Sequence, residues 1–253
     1  MRDTSIAWER LPRFFQRASE RKKRHLRIRD YCALPAALPW IAGLPRVELI
    51  GTGPDIGKLT RTLIGQKRVF GRLLHTAYLV PESLEGFFSG SSQANLRKSS
   101  NAAKRDGYFA SWLCGAELLS AVNVILVDRL SGKGQLDAEG LYRNTRISLE
   151  GAEGVVVFSP DGNPVSVIVG KRLDGIFLHR LALGSEPGRP RWLAFATLIT
   201  EGHERGVRLI IGERVWAMGR GDILFQERLG FIPVNLRIVV QQVSPLRFQV
   251  LSR

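Results

Sequence analysis

Proton transfer near neutral pH falls first to histidine, or to a carboxylate whose surroundings raise it. This chain of 253 residues carries only four histidines. His179 lies within the apolar run Gly175–Leu183, and Glu213 comes just after the run Val207–Ile211; beside a cleft, either could act as a base. Each also has a plainer reading, His179 as a packed strand residue and Glu213 as a surface carboxylate paired with Arg214. His203 recurs at helical spacing with Trp192, Ala196 and Ile199, which reads as core. His25 sits in a basic tract and His75 begins a strand. No His/Cys/Asp/Glu grouping has metal-ligand spacing, so no metal is expected. Neither a G-x-S-x-G elbow nor a Ser-His-Asp order is present, which disfavours a hydrolase. Gly51–Lys58 lacks the spacing of a phosphate loop. Cys32 and Cys114 are far apart and read as reduced, structural thiols.

The elements that must carry these residues are clearest from residue 154 onward. Val155–Phe158 and Pro164–Gly170 flank Ser159-Pro160-Asp161-Gly162-Asn163, a hairpin turn whose Asp-Gly and Gly-Asn pairs accept positive φ. Gly175–Leu183 reads as a third strand, Arg189–Arg205 as a helix stopped by Gly206, and Val207–Ile211 as a short buried strand. A short helix over Asp222–Leu229 and strands over Phe231–Gln241 and Arg247–Leu251 complete the order β-β-β-α-β-α-β-β. The fold class is α/β, a mixed central sheet flanked by helices.

Upstream the pattern is less regular. Residues 31–46 hold three prolines and read as an extended connector. Strands are expected over Val47–Gly51 and His75–Val80, with helices after Asp55, from Pro81, over Ser92–Arg105 and over Leu136–Thr145. The Ser92–Arg105 helix would turn Leu96, Ala103 and Asn95 inward and end at Gly107. Val122–Val127 fits a strand or a buried helix. Three sections follow: a basic, Pro-rich extension (1–46), the N-terminal part of the body (47–150) and a C-terminal core (151–253).

Charge is distributed unevenly. Of a formal net charge of +14, residues 1–30 carry ten Lys/Arg against four Asp/Glu, and residues 58–105 carry nine against two. An anionic partner, nucleic-acid phosphates or an anionic membrane surface, is therefore expected at 1–30 and 58–105. No run approaches the roughly 18 apolar residues of a membrane-spanning helix, and no apolar h-region follows residues 1–30. The expectation is a cytoplasmic protein without a transmembrane segment.

The run from the hairpin to the last strands, about residues 150–241, resembles the GNAT (Gcn5-related) N-acyltransferase fold. The most specific pieces are Leu193–Gly206 followed by Val207–Ile211, and Ile223-Leu-Phe-Gln-Glu-Arg-Leu-Gly-Phe231, which is similar to the family's F-Y-E-K-x-G-F segment. Gln93–Lys98 through Gly107 resembles the Leu-Arg-rich helix of the Fem-like (GNAT 6) branch. The resemblance implies direct transfer of an acyl group from acyl-CoA, acetyl-CoA foremost, to a small-molecule or peptide primary amine. It implies a donor site at Leu181, Leu183, Gly184, Gly188, Arg189 and Arg191, with strand N–H groups near Leu181–Gly184 stabilising the oxyanion. Helix N–H groups and the two arginines would hold phosphate. His179 and Glu213 would flank the cleft. Two departures stand out: Gly188 is one place from the family's glycine, and Gln226 occupies the place of a Tyr that protonates the leaving thiolate. Glutamine can donate a hydrogen bond there but not a proton. Both departures suit the Fem-like branch, in which aminoacyl-tRNA is the donor; a non-catalytic module binding nucleic acid or membrane is the third reading.

Overall fold

In the computed structural model, which describes residues 35–52, 73–85, 93–131, 151–185, 188–215, 218–241 and 246–251, the expected β-β-β-α-β-α-β-β order is present. In chain order the elements are a 3-10 turn Pro35–Ala37, α1 (Leu38–Gly43), β1 (Arg46–Gly51), β2 (Leu73–Leu79), α2 (Ala94–Arg105), β3 (Phe109–Cys114), α3 (Gly115–Ser131), β4 (Glu153–Phe158), β5 (Pro164–Leu173), β6 (Ile176–Gly184), α4 (Arg189–Glu204), β7 (Leu209–Arg214), α5 (Arg220–Leu229), β8 (Ile232–Val240) and β9 (Arg247–Leu251). The chain divides into two compact units, one spanning residues 80–210 and the other formed by residues up to 79 together with those from 211. The basic segment 1–30 and the helices expected after Asp55 and over Leu136–Thr145 lie outside the described residues.

In the 80–210 unit, β3, β4, β5 and β6 form an antiparallel meander. Its turns follow from local chemistry. Ser159 accepts the Gly162 N–H at 2.9 Å, and its hydroxyl accepts the Asn163 N–H at 3.2 Å. Asp174-Gly175 closes the next hairpin, with Asp174 at φ 49° and Leu173 paired to Ile176. One face of the meander packs on α3, where Leu118, Val122 and Ile125 meet Val156, Val167 and Val169. The other face packs on α4, and α2 packs in turn on α4 through its buried Leu96, Ser100 and Ala103. Asn95, expected inward, is exposed, and Ser100 takes the inward place one helical turn on from Leu96. Val122–Val127 is helical, inside α3, and residues 81–85 form no helix.

The pairing of β5 with β6 is interrupted once. Val169 pairs with Leu181 but Gly170 with His179, so Arg180 is an extra residue, a β-bulge in β6. The consequence is a change of face. Phe177 and His179 lie on the α4 side, Phe177 edge-on to Trp112 at 5.7 Å and His179 6.3 Å from Phe195 of α4. Beyond the bulge, Leu181 and Leu183 join the α3 cluster, although unbroken alternation would have kept all four on one side.

In the other unit, β8 lies between β2, antiparallel to it, and β1, parallel to it, with β9 antiparallel to β1. Residues 35–43 are helical, not extended as the prolines suggested. Pro39 occupies the first turn of α1, where no N–H is needed by the helix, and Ile41 and Ala37 are fully buried. They pack with Leu44, Leu74, Val215, Met218 and Ile223. Asn235 of β8 ties this helix down by donating to the Ile41 carbonyl at 3.4 Å. The Tyr78 and Phe231 rings meet on the same side, tilted at 41° with centroids 5.3 Å apart.

Phe177 is fully buried between β5, Trp112 and α4. Its replacement by Ala is expected to cost about 4 kcal/mol of unfolding free energy. The denaturant midpoint at unchanged m-value measures it; a loss below about 1 kcal/mol would contradict this packing.

Candidate functional site

In the 80–210 unit the candidate site is placed by the bulge. A bulge takes one residue out of the ladder and bends the strand, so backbone donors beside it are not all consumed by β5. The irregularity lies at Arg180, immediately upstream of the Leu181–Gly184 stretch where it was expected; that stretch is regularly paired with Ser166–Val169. The Leu181 and Leu183 side chains belong to the α3 cluster, so only their backbone could face a ligand. His179 is half-buried at the bulge with the Phe195 ring beside it.

Beyond β6, the chain enters α4 through Gly188, the N-cap residue, at φ 90°. Only glycine adopts this backbone readily, and nothing lies within 4 Å of where a Cβ would stand. The helix start offers fewer donors than a regular one, because Pro190 has no N–H. Arg189 and Arg191 differ in their surroundings. The Arg189 guanidinium donates to the Asp106 carboxylate, which lies at the C-terminal end of α2. Asp106 thus places a negative charge at the end of α4 where an anion would bind. With the two side chains 59% and 42% exposed, the pair contributes at most about 1 kcal/mol to stability, and an anion could displace it. Arg191 is half-buried.

Glu213 and Gln226 belong to the other unit. Glu213 lies inside β7, not after it as expected. A Cβ on Gly212 would stand 2.2 Å from the Thr76 hydroxyl and 3.0 Å from the Phe231 ring, so Gly212 faces the side that carries Thr76, Tyr78 and Phe231. Alternation sends the Glu213 side chain to the opposite face. Gln226 is one turn on from Ile223 on the buried side of α5, and Ile223 packs with Leu74 and Ile41. This unit therefore presents Glu213 and Gln226 from different faces. Gln226 is 1% exposed, and among the described residues its Oε1 accepts no hydrogen bond. A buried acceptor left unmet typically costs about 1–3 kcal/mol.

Sequence reasoning passed over His75 and Thr76. Both are buried in β2; His75 Nδ1 lies 3.1 Å from the Gly212 carbonyl, and the Thr76 hydroxyl donates to the Glu213 carbonyl at 3.3 Å. A polar pair inside the otherwise apolar strand Leu73–Leu79 was the available signal. Of the other two histidines, His203 approaches the Glu82 carbonyl through Nε2 at 2.9 Å and is not core, while His25 lies outside the described residues. Among the described residues no three His, Cys, Asp or Glu gather where a metal could be held, and no helix is long and apolar enough to cross a membrane.

Burial lowers His75 from its ordinary 6.5 to about 4, the bond to Gly212 opposing and the Arg214 charge adding to the fall. As pH drops, the unfolded chain takes up this proton near 6.5 and the folded chain only near 4. The stability tied to neutral His75 is therefore complete above pH 6.5 and is lost between 6.5 and 4, about 3 kcal/mol in all. His75→Asn keeps an N–H donor that does not titrate. It is expected to flatten the fall of Tm between pH 7 and 4.5; an unchanged slope would assign that fall to other groups.

No protein-family model matches the sequence, and no curated protein matches it. Solved structures match it at low identity and with TM-scores below 0.5. L-PGS from Bacillus licheniformis is 17% identical with a TM-score of 0.41, over 67% of this chain and 64% of that one, less than two-thirds of its length. The C-terminal domain assigned to a lysylphosphatidylglycerol synthetase from Agrobacterium fabrum is 11% identical at a TM-score of 0.48, over 82% and 78% of the two chains. A GCN5-related N-acetyltransferase from Kribbella flavida is 18% identical at 0.34, over 65% and 55%. The mixed strand pairing, the helices packed on it and the β-β-β-α-β-α-β-β order give this chain a GNAT-like fold.

Proposed function

We propose that the chain is an N-acyltransferase that moves an acyl group from acyl-CoA, acetyl-CoA foremost, directly to a primary amine. The observation that carries this reading is the bulge at Arg180, followed within a few residues by a helix starting at a positive-φ glycine. That pairing supplies two needs of acyl transfer in one stretch of chain. Backbone N–H groups at the bulge would stabilise the tetrahedral oxyanion, and the start of α4 would hold the phosphates of the donor. The neutral amine attacks the thioester carbonyl, the C–S bond breaks, and the amine's excess proton leaves to a base while the thiolate departs. The resemblance assigns Glu213 as that base, with His179 at the bulge as the second candidate; Gln226, buried on the opposite face of its unit from Glu213, is given no part in the step. Phosphate binding is assigned to the N–H groups and side chains of Arg189 and Arg191, the Arg189 guanidinium being shared with Asp106.

A second reading keeps the fold and takes an aminoacyl ester of tRNA as donor. Two observations favour it: the donor lost at Pro190 together with the Asp106 charge, and the exposed Lys98, Lys104 and Arg105 on α2, a helix without acidic residues. Several phosphate contacts would make such an activity steeply salt-dependent.

Thermal stability with acetyl-CoA, longer acyl-CoAs and bulk tRNA, at low and moderate salt, separates the readings. A salt-tolerant rise in Tm with a CoA ester supports the first; a rise with tRNA alone moves the assignment to the second. No rise with any of them overturns both in favour of a non-catalytic module. Asp106→Asn is expected to tighten acetyl-CoA binding about fivefold by freeing Arg189. Glu213→Gln is expected to lower kcat about 100-fold with KM for acetyl-CoA within twofold. Unchanged affinity or unchanged kcat would remove the corresponding residue from its role.

A further inference from the structure

We propose that His75 and Thr76 are positioning residues for Glu213, holding the end of β7 from the neighbouring strand so that the carboxylate is presented at a fixed place. The proposal deepens the reading of Glu213 as the base and rests on it.

Two adjacent side chains of β2 approach two successive carbonyls of β7. The Thr76 hydroxyl donates to Glu213 itself at 3.3 Å, and His75 Nδ1 stands 3.1 Å from the preceding carbonyl, Gly212. A carbonyl oxygen only accepts, so Nδ1 carries the proton and His75 is the donor. Both side chains are essentially buried, 2% and 0% exposed, in a strand that is otherwise Leu, Ala and Tyr. Burying two polar side chains there costs stability unless both are bonded, and apolar residues would fill the strand with no such cost.

The fit on β7 is equally specific. With a Cβ at 212 standing 2.2 Å from the Thr76 hydroxyl, only glycine lets the strand lie this close. The hydroxyl fills the space where a side chain would be and takes the next carbonyl. Thr76 thus holds β7 from the face that Gly212 leaves open. His75 leaves β2 on the other face, the one from which Glu213 projects. Glu213 is therefore set by contacts to its own carbonyl and to the one before it, with Arg214 following directly in the strand. Misplacing a base by an ångström is enough to slow a proton transfer substantially, which is the effect a clamp of this kind prevents.

The test uses the full chain with His75→Leu, His75→Asn, Thr76→Val, Thr76→Ser and Glu213→Gln. Hydrogen–deuterium exchange over residues 209–214 reads the clamp without any substrate. Thr76→Val and His75→Leu should raise exchange there about tenfold or more, and the donor-keeping Thr76→Ser and His75→Asn should restore protection. Turnover with acetyl-CoA and an amine that the wild type acylates reads the effect on the base. Thr76→Val should lower kcat about tenfold with KM for acetyl-CoA within twofold, and Thr76→Ser should recover it. In the Glu213→Gln background Thr76→Val should add nothing further. Unchanged exchange overturns the clamp whatever the activity does. Losses that add to that of Glu213→Gln overturn action through Glu213 and leave a structural role. Wild-type turnover in Glu213→Gln overturns the assignment of the base while the exchange result still decides the clamp. If the wild type acylates no amine, the transferase reading fails, and exchange alone decides whether His75 and Thr76 hold β7.

Discussion

One extra residue in one strand governs the 80–210 unit. Without the bulge at Arg180, Leu181 and Leu183 would share a face with Phe177 and His179 and could not join the α3 cluster. With it, Phe177 and His179 in the first half of β6 lie toward α4, while Leu181 and Leu183 in the second half lie toward α3. The energetic reason is that both faces are covered, so each half must put large apolar side chains against a different helix. The polar His179, beside Phe195 of α4, and the exposed Arg180 fall at the crossover. A packing solution and a functional opportunity therefore occupy the same place: the residue that lets two cores close also breaks the ladder.

The other unit solves a different problem, how to bury polar groups without loss. Asn235, His75 and Thr76 are each buried and each bonded to a backbone carbonyl: Ile41 for the first, Gly212 and Glu213 for the pair. These bonds tie a helix and a strand to the β2–β8 ladder, so they fix relative placement more than they add free energy. Gln226 is the exception, buried with an acceptor that meets no donor among the described residues. Natural cores rarely tolerate this, which sets Gln226 apart from the other three.

Electrostatics at the start of α4 show how little the presence of arginines says about anion affinity. Arg189 lies at a helix N-terminus, where its charge would reinforce the helix dipole for an incoming anion. Asp106 comes from a helix more than eighty residues upstream and offsets that charge. The charge at the start of α4 is thereby set by a residue whose relevance depends entirely on α2 packing against α4.

Much of the C-terminal half was legible in the sequence because its signals are local. Asp161-Gly162 needs positive φ and makes a hairpin; Gly206 and Gly230 end helices in left-handed backbone; Trp192, Ala196 and Ile199 recur at helical spacing. Local rules misread residues 35–43, since proline disfavours helix in general but not in a first turn, and the turn was set by burial of Ala37 and Ile41. The site was only half legible. Residue type nominated His179, Glu213, Gln226 and the arginines, because titration and charge belong to the side chain itself. The tertiary structure alone decided that Arg180 leaves the ladder, that Glu213 and Gln226 project from different faces, that Asp106 meets Arg189, and that His75 and Thr76 seat β7. Each of these depends on register between distant strands or on packing between helices, and a sequence period fixes which residues share a face but not which partner that face will meet.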